Sequence, residues 1–290
     1  MKRTHLPEWL HRGLAPAGSD IKTRSTIKLN LVGTICESAL CPNRRECFCQ
    51  NTATFLLLGP YCTRNCGFCA VSHGIPIPPD PAEIDRITDA AANLGLLYIV
   101  LTSVTRDDLP DGGAKHFASI ISRLNGMGFK VEALIPDFGG DFTAVNLIAE
   151  AAPVVLAHDI QTVPRLYSSL RPGADYLRSL NLLSHIAAEY SSIITKAALL
   201  VGLGETEHEI RATIGDLAVA GVKIVIIGQY IQPTLGHANV TRWWTPVEMD
   251  EMALWGTEFG LMVYAAPLAR SSYKAFELFS SVNSTERNWR

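Results

Sequence analysis

The chain has 290 residues, 48% hydrophobic and 18% charged, with a net charge of −3. That composition excludes a disordered chain and gives no electrostatic reason to expect a nucleic-acid partner. No run of about 20 apolar residues occurs, so no membrane span is predicted. Met1 to Pro16 is basic but lacks the apolar core of a secretory signal, and Pro7 and Glu8 interrupt any Arg-rich transit helix. A reducing cytoplasm is the expected compartment, where clustered cysteines favour metal over disulfides.

Residues 1–52 read as an N-terminal extension, whose stretch 36–52 is a loop rich in turn formers. Apolar runs then alternate with amphipathic stretches. The runs Thr54–Leu58, Leu97–Thr102, Lys130–Ile135, Val154–Ala157, Ile193–Leu200, Lys223–Ile227 and the shorter Leu261–Ala265 predict strands. Between them, Pro81–Leu94, Lys115–Asn125, Ala144–Ala151, Tyr176–Tyr190, Glu207–Ala220 and Pro246–Glu258 predict helices. In Glu207–Ala220, Ile210, Ile214, Leu217 and Ala218 form one stripe. Such alternation implies parallel strands with right-handed crossovers. Six units are too few for a closed eight-fold barrel, so the expected class is α/β, an open partial (β/α)6 barrel over 53–265 with a closing C-terminal segment, 266–290. Its functional loops follow the strand C-termini, among them Gly59–Cys69, Ser103–Gly113, His158–Thr162, Gly202–Thr206 and Gly228–His237.

The 7 cysteines all lie between Cys36 and Cys69. Cys62, Cys66 and Cys69 form a C-x3-C-x2-C loop after the first barrel strand. A [4Fe–4S] cube normally takes four thiolates, so three leave one iron open to a small ligand. Zinc is the alternative for such a loop. The spacing and placement resemble the radical S-adenosylmethionine (SAM) superfamily. The resemblance implies that the open iron chelates the amino and carboxylate groups of SAM, and that one electron then yields a 5′-deoxyadenosyl radical. Gly202–Thr206 fits the same reading: its glycines permit close approach, and Glu205 is placed to hold a ribose hydroxyl or the methionyl ammonium. An ordinary turn with Thr206 capping the next helix is the alternative.

Cys36, Cys41 and Cys47 form a second triad, C-x4-C-x5-C, also without a fourth cysteine. Cys49 is cramped against Cys47, so an oxygen or nitrogen ligand must be considered. These cysteines, with Thr102–Leu109, Asp111–Gly113, Val131–Phe138, Thr162–Tyr167, Arg171–Tyr176, Ser179–Leu182, Gly202–Thr206, Ile227–Thr234 and Arg270–Tyr273, resemble lipoyl synthase from about Pro7 to Ala275. The resemblance implies that a serine of the last motif, Ser272 or alternatively Ser271, is the fourth ligand of an auxiliary [4Fe–4S] cluster. An alkoxide is a harder partner for iron than a thiolate, suited to leaving.

The resemblance further implies insertion of two sulfur atoms at C6 and C8 of an octanoyl chain on a carrier lysine, with the auxiliary cluster as sulfur source. Carriers are 2-oxo-acid dehydrogenase E2 lipoyl domains and the glycine cleavage H protein. A flavodoxin or ferredoxin as reductant and an iron–sulfur carrier for resupply complete the expected partners. Both clusters must face one mostly apolar cavity. Candidate SAM-binding residues are Thr105, Gly204 and Glu205; candidate substrate-binding residues are Arg171 and His158. Tyr98, Phe138 and Tyr230 are candidates for lining or core. Three departures stand out: Cys49, expected to be a passenger; Leu235–Gly236, where a basic residue is common; and His158–Thr162, where Asp159 and Gln161 replace the usual Asn and Glu. Competing readings are a biotin synthase-like substrate, a two-cluster electron carrier and a zinc protein.

Overall fold

A computed structural model describes residues 5–11 and 18–287. A helix, α1 (Ile21–Leu29), leads to a short strand, β1 (Gly33–Thr34), and two short helices, α2 (Ile35–Ser38) and α3 (Arg44–Cys49). The stretch expected to be a turn-rich loop is therefore partly helical. Thr34 starts α2 by accepting the Glu37 N–H at 3.3 Å. Cysteines and single turns carry no readable 3.6-residue pattern, which is why sequence periodicity misses them.

The barrel follows. β2 (Thr54–Leu57), α4 (Glu83–Leu94), β3 (Tyr98–Ser103), α5 (Ala114–Gly126), β4 (Lys130–Leu134) and α6 (Phe142–Glu150) alternate as predicted. Next come β5 (Val155–Ala157), the single-turn α7 (Tyr167–Leu170), α8 (Tyr176–Glu189), β6 (Ile194–Val201), α9 (Glu207–Val219), β7 (Ile224–Gln229), α10 (Pro246–Glu258) and β8 (Met262–Ala266). The sheet has eight strands in chain order. β1 is antiparallel to β2, and β2 through β8 are parallel. β8 does not pair with β1, so the barrel stays open. Local chemistry starts the helices where the pattern placed them. Thr206 with Glu209 and Thr245 with Glu248 form capping boxes on α9 and α10, and Asp141 and Asp175 cap α6 and α8.

The chain ends in α11 (Ala275–Arg287), which the sequence reading did not separate from the closing segment. Its Ala275, Phe279 and Leu278 pack on Tyr98, Val100, Val155, Ile224 and Ile226. Tyr98 and Val100 share a strand face with Thr102, and Ile224 and Ile226 with Gly228; Thr102 and Gly228 line a cavity above, so α11 plugs the strands' N-terminal end of the lumen. Tyr98 stacks obliquely on Phe279, ring centroids 5.4 Å apart, and belongs to this plug rather than the cavity. Between plug and cavity lies a buried ion pair, Lys196 Nζ to Glu132 Oε1 at 2.8 Å, with the Tyr98 hydroxyl donating to Glu132 Oε2 at 2.7 Å. Each partner of the pair is only 1% exposed, so the hydrogen bonds must offset the cost of burying charge.

Candidate active site

The Cys62–Cys69 loop follows β2 at the strands' C-terminal end and is knitted to its neighbours by backbone. Cys62 N–H donates to Ser72 O at 2.9 Å, Thr63 N–H to Thr105 O at 3.0 Å, and Gly67 N–H to Leu170 O at 2.8 Å. From the other side Ala238 N–H reaches Gly67 O at 2.8 Å, and His237 Nε2 lies 3.0 Å from Cys69 O. Arg64, inside the triad, forks between two carboxylates. It meets Asp137 at 2.7 and 2.9 Å and Asp107 at 2.8 and 2.9 Å. This planar two-sided grip ties the loop to the loops after β3 and β4. Burial pushes the Asp137 carboxyl up, and the Arg64 guanidinium outweighs it, holding Asp137 down to about 2. Residue pattern alone did not flag Arg64, although its place between Cys62 and Cys66 was a usable signal.

Of the other triad, Cys36 lies on α2, Cys47 on α3 and Cys41 in the turn between them. Cys36 is buried, and Cys41 N–H donates to Cys36 O at 3.1 Å. The segment 268–273 crosses the barrel mouth against it. Asn43 Nδ2 donates to Leu268 O at 2.7 Å, and the Tyr273 hydroxyl donates to Glu46 Oε1 at 2.9 Å. Gly228 lets the strap pass: a Cβ there would lie 2.9 Å from the Ala269 carbonyl carbon and closer still to its oxygen. Ser271 and Ser272 are thus carried beside the first triad, 225 residues away in sequence from Asn43 to Leu268.

One cavity of about 500 Å³ joins these parts. Cys36, Cys41, Cys69, Ser271 and Ser272 all line it, among apolar walls that include Ile35, Leu40, Phe68, Leu134, Leu200, Ile226 and Tyr230. Its polar rim includes Asp159, Gln161, Gln232 and Arg270. The Ser271 hydroxyl donates to Asp159 Oδ1 at 2.9 Å, and Gln161 Nε2 donates to Asp159 Oδ2 at 3.0 Å. Burial pushes the Asp159 carboxyl up to about 6 against the lowering effect of Ser271.

Other predicted residues fall elsewhere. The Glu205 carboxylate turns inward: it accepts the N–H groups of Gly202 and Leu203 and the Trp244 indole N–H at 3.1 Å. It braces its own loop and does not line the cavity. Gly204 offers its carbonyl to Arg165 at 2.8 Å, and the Thr105 carbonyl accepts the Thr63 hydroxyl at 3.0 Å. His158 is enclosed, with Nδ1 2.9 Å from Ile135 O and Nε2 3.0 Å from Ser179 Oγ. Burial pulls its pKa down to about 4, so it is neutral. Arg171 Nη1 donates to the Asp159 and Ile160 carbonyls and to the Tyr167 hydroxyl. Its guanidinium also lies beside Cys66, where it opposes the upward push of burial on that thiol. Cys49 Sγ is 2.8 Å from Ser19 Oγ and does not line the cavity.

A family model described as the radical SAM superfamily matches residues 56–217. Fold and match together define a radical SAM enzyme, which uses SAM and an iron–sulfur cluster. Lipoyl synthase of Desulfotalea psychrophila is 45% identical over 282 residues, covering 96% of this chain and 94% of that one. Lipoyl synthase of Caldanaerobacter subterraneus subsp. tengcongensis is 46% identical over 272 residues, covering 93% and 95%. The chain belongs to the lipoyl synthase family. Among solved structures, Streptococcus suis SuiB bound to S-adenosylmethionine superposes with a TM-score of 0.57 at 12% identity, covering 80% of this chain and 58% of that one. Methylornithine synthase does so with 0.52 at 12%, covering 88% and 79%. These likenesses concern the fold alone.

The donors fit the group. Burial pushes Cys69 up to about 11, and the adjacent Cys66 and Cys62 add to the shift; burial does the same to Cys36, with Cys41 adding. Bare thiolates are unfavourable in both places, and a bound cationic cluster would reverse that balance. Among the described residues no three His, Cys, Asp or Glu side chains converge on the position of a single ion.

Proposed function

We propose that this chain inserts two sulfur atoms, at C6 and C8, into an octanoyl group carried on a lysine of a partner protein. In this reading Cys62, Cys66 and Cys69 hold the SAM-binding [4Fe–4S] cluster, and Cys36, Cys41, Cys47 and Ser272 hold an auxiliary one. The observation that carries it is the shared cavity, lined by cysteines of both triads and by the serine strap, with walls apolar enough for an eight-carbon chain. When bound, the groups supply a carbon radical that breaks unactivated C–H bonds and the sulfur that replaces the hydrogen. The chain's own residues enclose and orient. Arg64 holds the first loop rigid, Asn43 and Tyr273 hold the strap across the mouth, and the apolar walls exclude water from the alkyl chain.

The partners that suit this reading are E2 lipoyl domains and the glycine cleavage H protein as carriers, a flavodoxin or ferredoxin as reductant, and an iron–sulfur carrier, all in the cytoplasm. Residues 1–52 then serve the auxiliary site, 53–265 the SAM site and 266–290 the serine ligand. The test is anaerobic turnover of the reconstituted protein with SAM, dithionite and an octanoyl-lysine peptide, read by mass spectrometry. Two added sulfurs with 5′-deoxyadenosine are expected. SAM cleavage without sulfur addition would move the substrate elsewhere.

A further inference from the structure

We infer that Asp159 selects which of the two adjacent serines binds iron: by holding Ser271, it leaves Ser272 as the ligand. Asp159 acts through Ser271 and is a positioning residue. The inference rests on the serine-ligated auxiliary site proposed above and deepens it.

Both serines line the cavity, one residue apart on a strap fixed at both ends. Their surroundings differ. Ser271 Oγ is held at 2.9 Å by Asp159 Oδ1, while among the described residues no hydrogen bond involves Ser272 Oγ. Asp159 is itself well anchored. It is 8% exposed, Gln161 Nε2 occupies its second oxygen at 3.0 Å, and Arg171 grips its backbone carbonyl at 3.1 Å. To serve as a ligand, Ser271 Oγ would have to give up its hydrogen bond to Asp159 Oδ1 and turn away from it. Ser272 Oγ has no such bond to give up among the described residues. Gln161 donating to Asp159 places the acid on the residue that faces the strap and the amide behind it, the arrangement this selection requires.

The chemistry predicts a suppressor. With Ser272 removed, Ser271 cannot replace it while Asp159 holds its hydroxyl; with Asp159 also removed, it can. Reconstituted Ser272→Ala, Asp159→Ala/Ser272→Ala and the milder Asp159→Asn/Ser272→Ala are compared with the unaltered chain by iron count and electron paramagnetic resonance. Ser272→Ala is expected to lose one corner iron and show a stoichiometric three-iron signal. The Asp159→Ala double variant is expected to cut that signal several-fold, with the Asn variant between. A three-iron signal in Ser272→Ala that persists undiminished in both double variants overturns the selection by Asp159 while leaving Ser272 as ligand. No three-iron signal in Ser272→Ala overturns the Ser272 ligand itself, and the selection with it.

Discussion

Gly228→Ala tests how closely the strap must approach β7. The added methyl would lie 2.9 Å from the Ala269 carbonyl carbon, and closer to its oxygen, where ordinary contact begins near 3.4 Å. The strap must therefore retreat by about an ångström or more, or the buried β7 must bend against α10 and β8. Overpacking of this kind costs about 1–3 kcal/mol, a fall of about 2–5 °C in melting temperature for a chain of this size. The retreat acts on residues 269–272, so with the serine ligand proposed above the loss of iron should exceed what the stability loss explains. Gly126→Ala is the control, since a methyl there meets nothing within 4 Å; it should leave both quantities unchanged or raise stability slightly. The assays are apo-protein melting and iron per chain after reconstitution. Gly228→Ala with wild-type melting and a full complement of iron would refute the close-approach argument.

Three further outcomes follow from placements the structure revealed. Glu205→Gln leaves one of three buried donors facing an amide N–H₂, which should cost about 1–3 kcal/mol in denaturant titration without raising KM for SAM; a raised KM at unchanged stability would return Glu205 to the ligand shell. Cys49→Ala should change stability by no more than about 0.5 kcal/mol and leave iron content unchanged, whereas a lost iron would make Cys49 a ligand. His158 titrates near 6.5 when unfolded but at about 4 in the fold, so its stabilising neutrality is complete above the unfolded value and drains away as pH falls. The stability gap between the unaltered apo protein and His158→Asn should narrow by about 2 kcal/mol from pH 7 to pH 5; the raised Asp159 carboxyl, present in both, cancels. A gap independent of pH would contradict the burial argument.

Much of the fold was legible because its signals are local. The apolar run Thr54–Leu58 became β2, and Lys130–Ile135 became β4, because strand burial is written in consecutive residues. Glu207–Ala220 became α9 because its stripe and the Thr206–Glu209 capping box lie within a few turns. The cysteine spacings and the terminal Arg270–Tyr273 motif were readable for the same reason, and they carried the family resemblance. Periodicity says which face of an element is buried but not what covers it. So α11 filling the lumen, the Lys196–Glu132 pair beneath the cavity and the inward turn of Glu205 could not be read from the chain. The same holds for the bonds that assemble the site: Asn43 to Leu268, Glu46 to Tyr273 and Asp159 to Ser271 span 225, 227 and 112 residues. Sequence alone determined the donors and the strand–helix order that displays them. Which donors share a cavity, and which of the two serines Asp159 holds, depends on barrel curvature bringing distant loops to one mouth, a property of the packed sheet rather than of any segment.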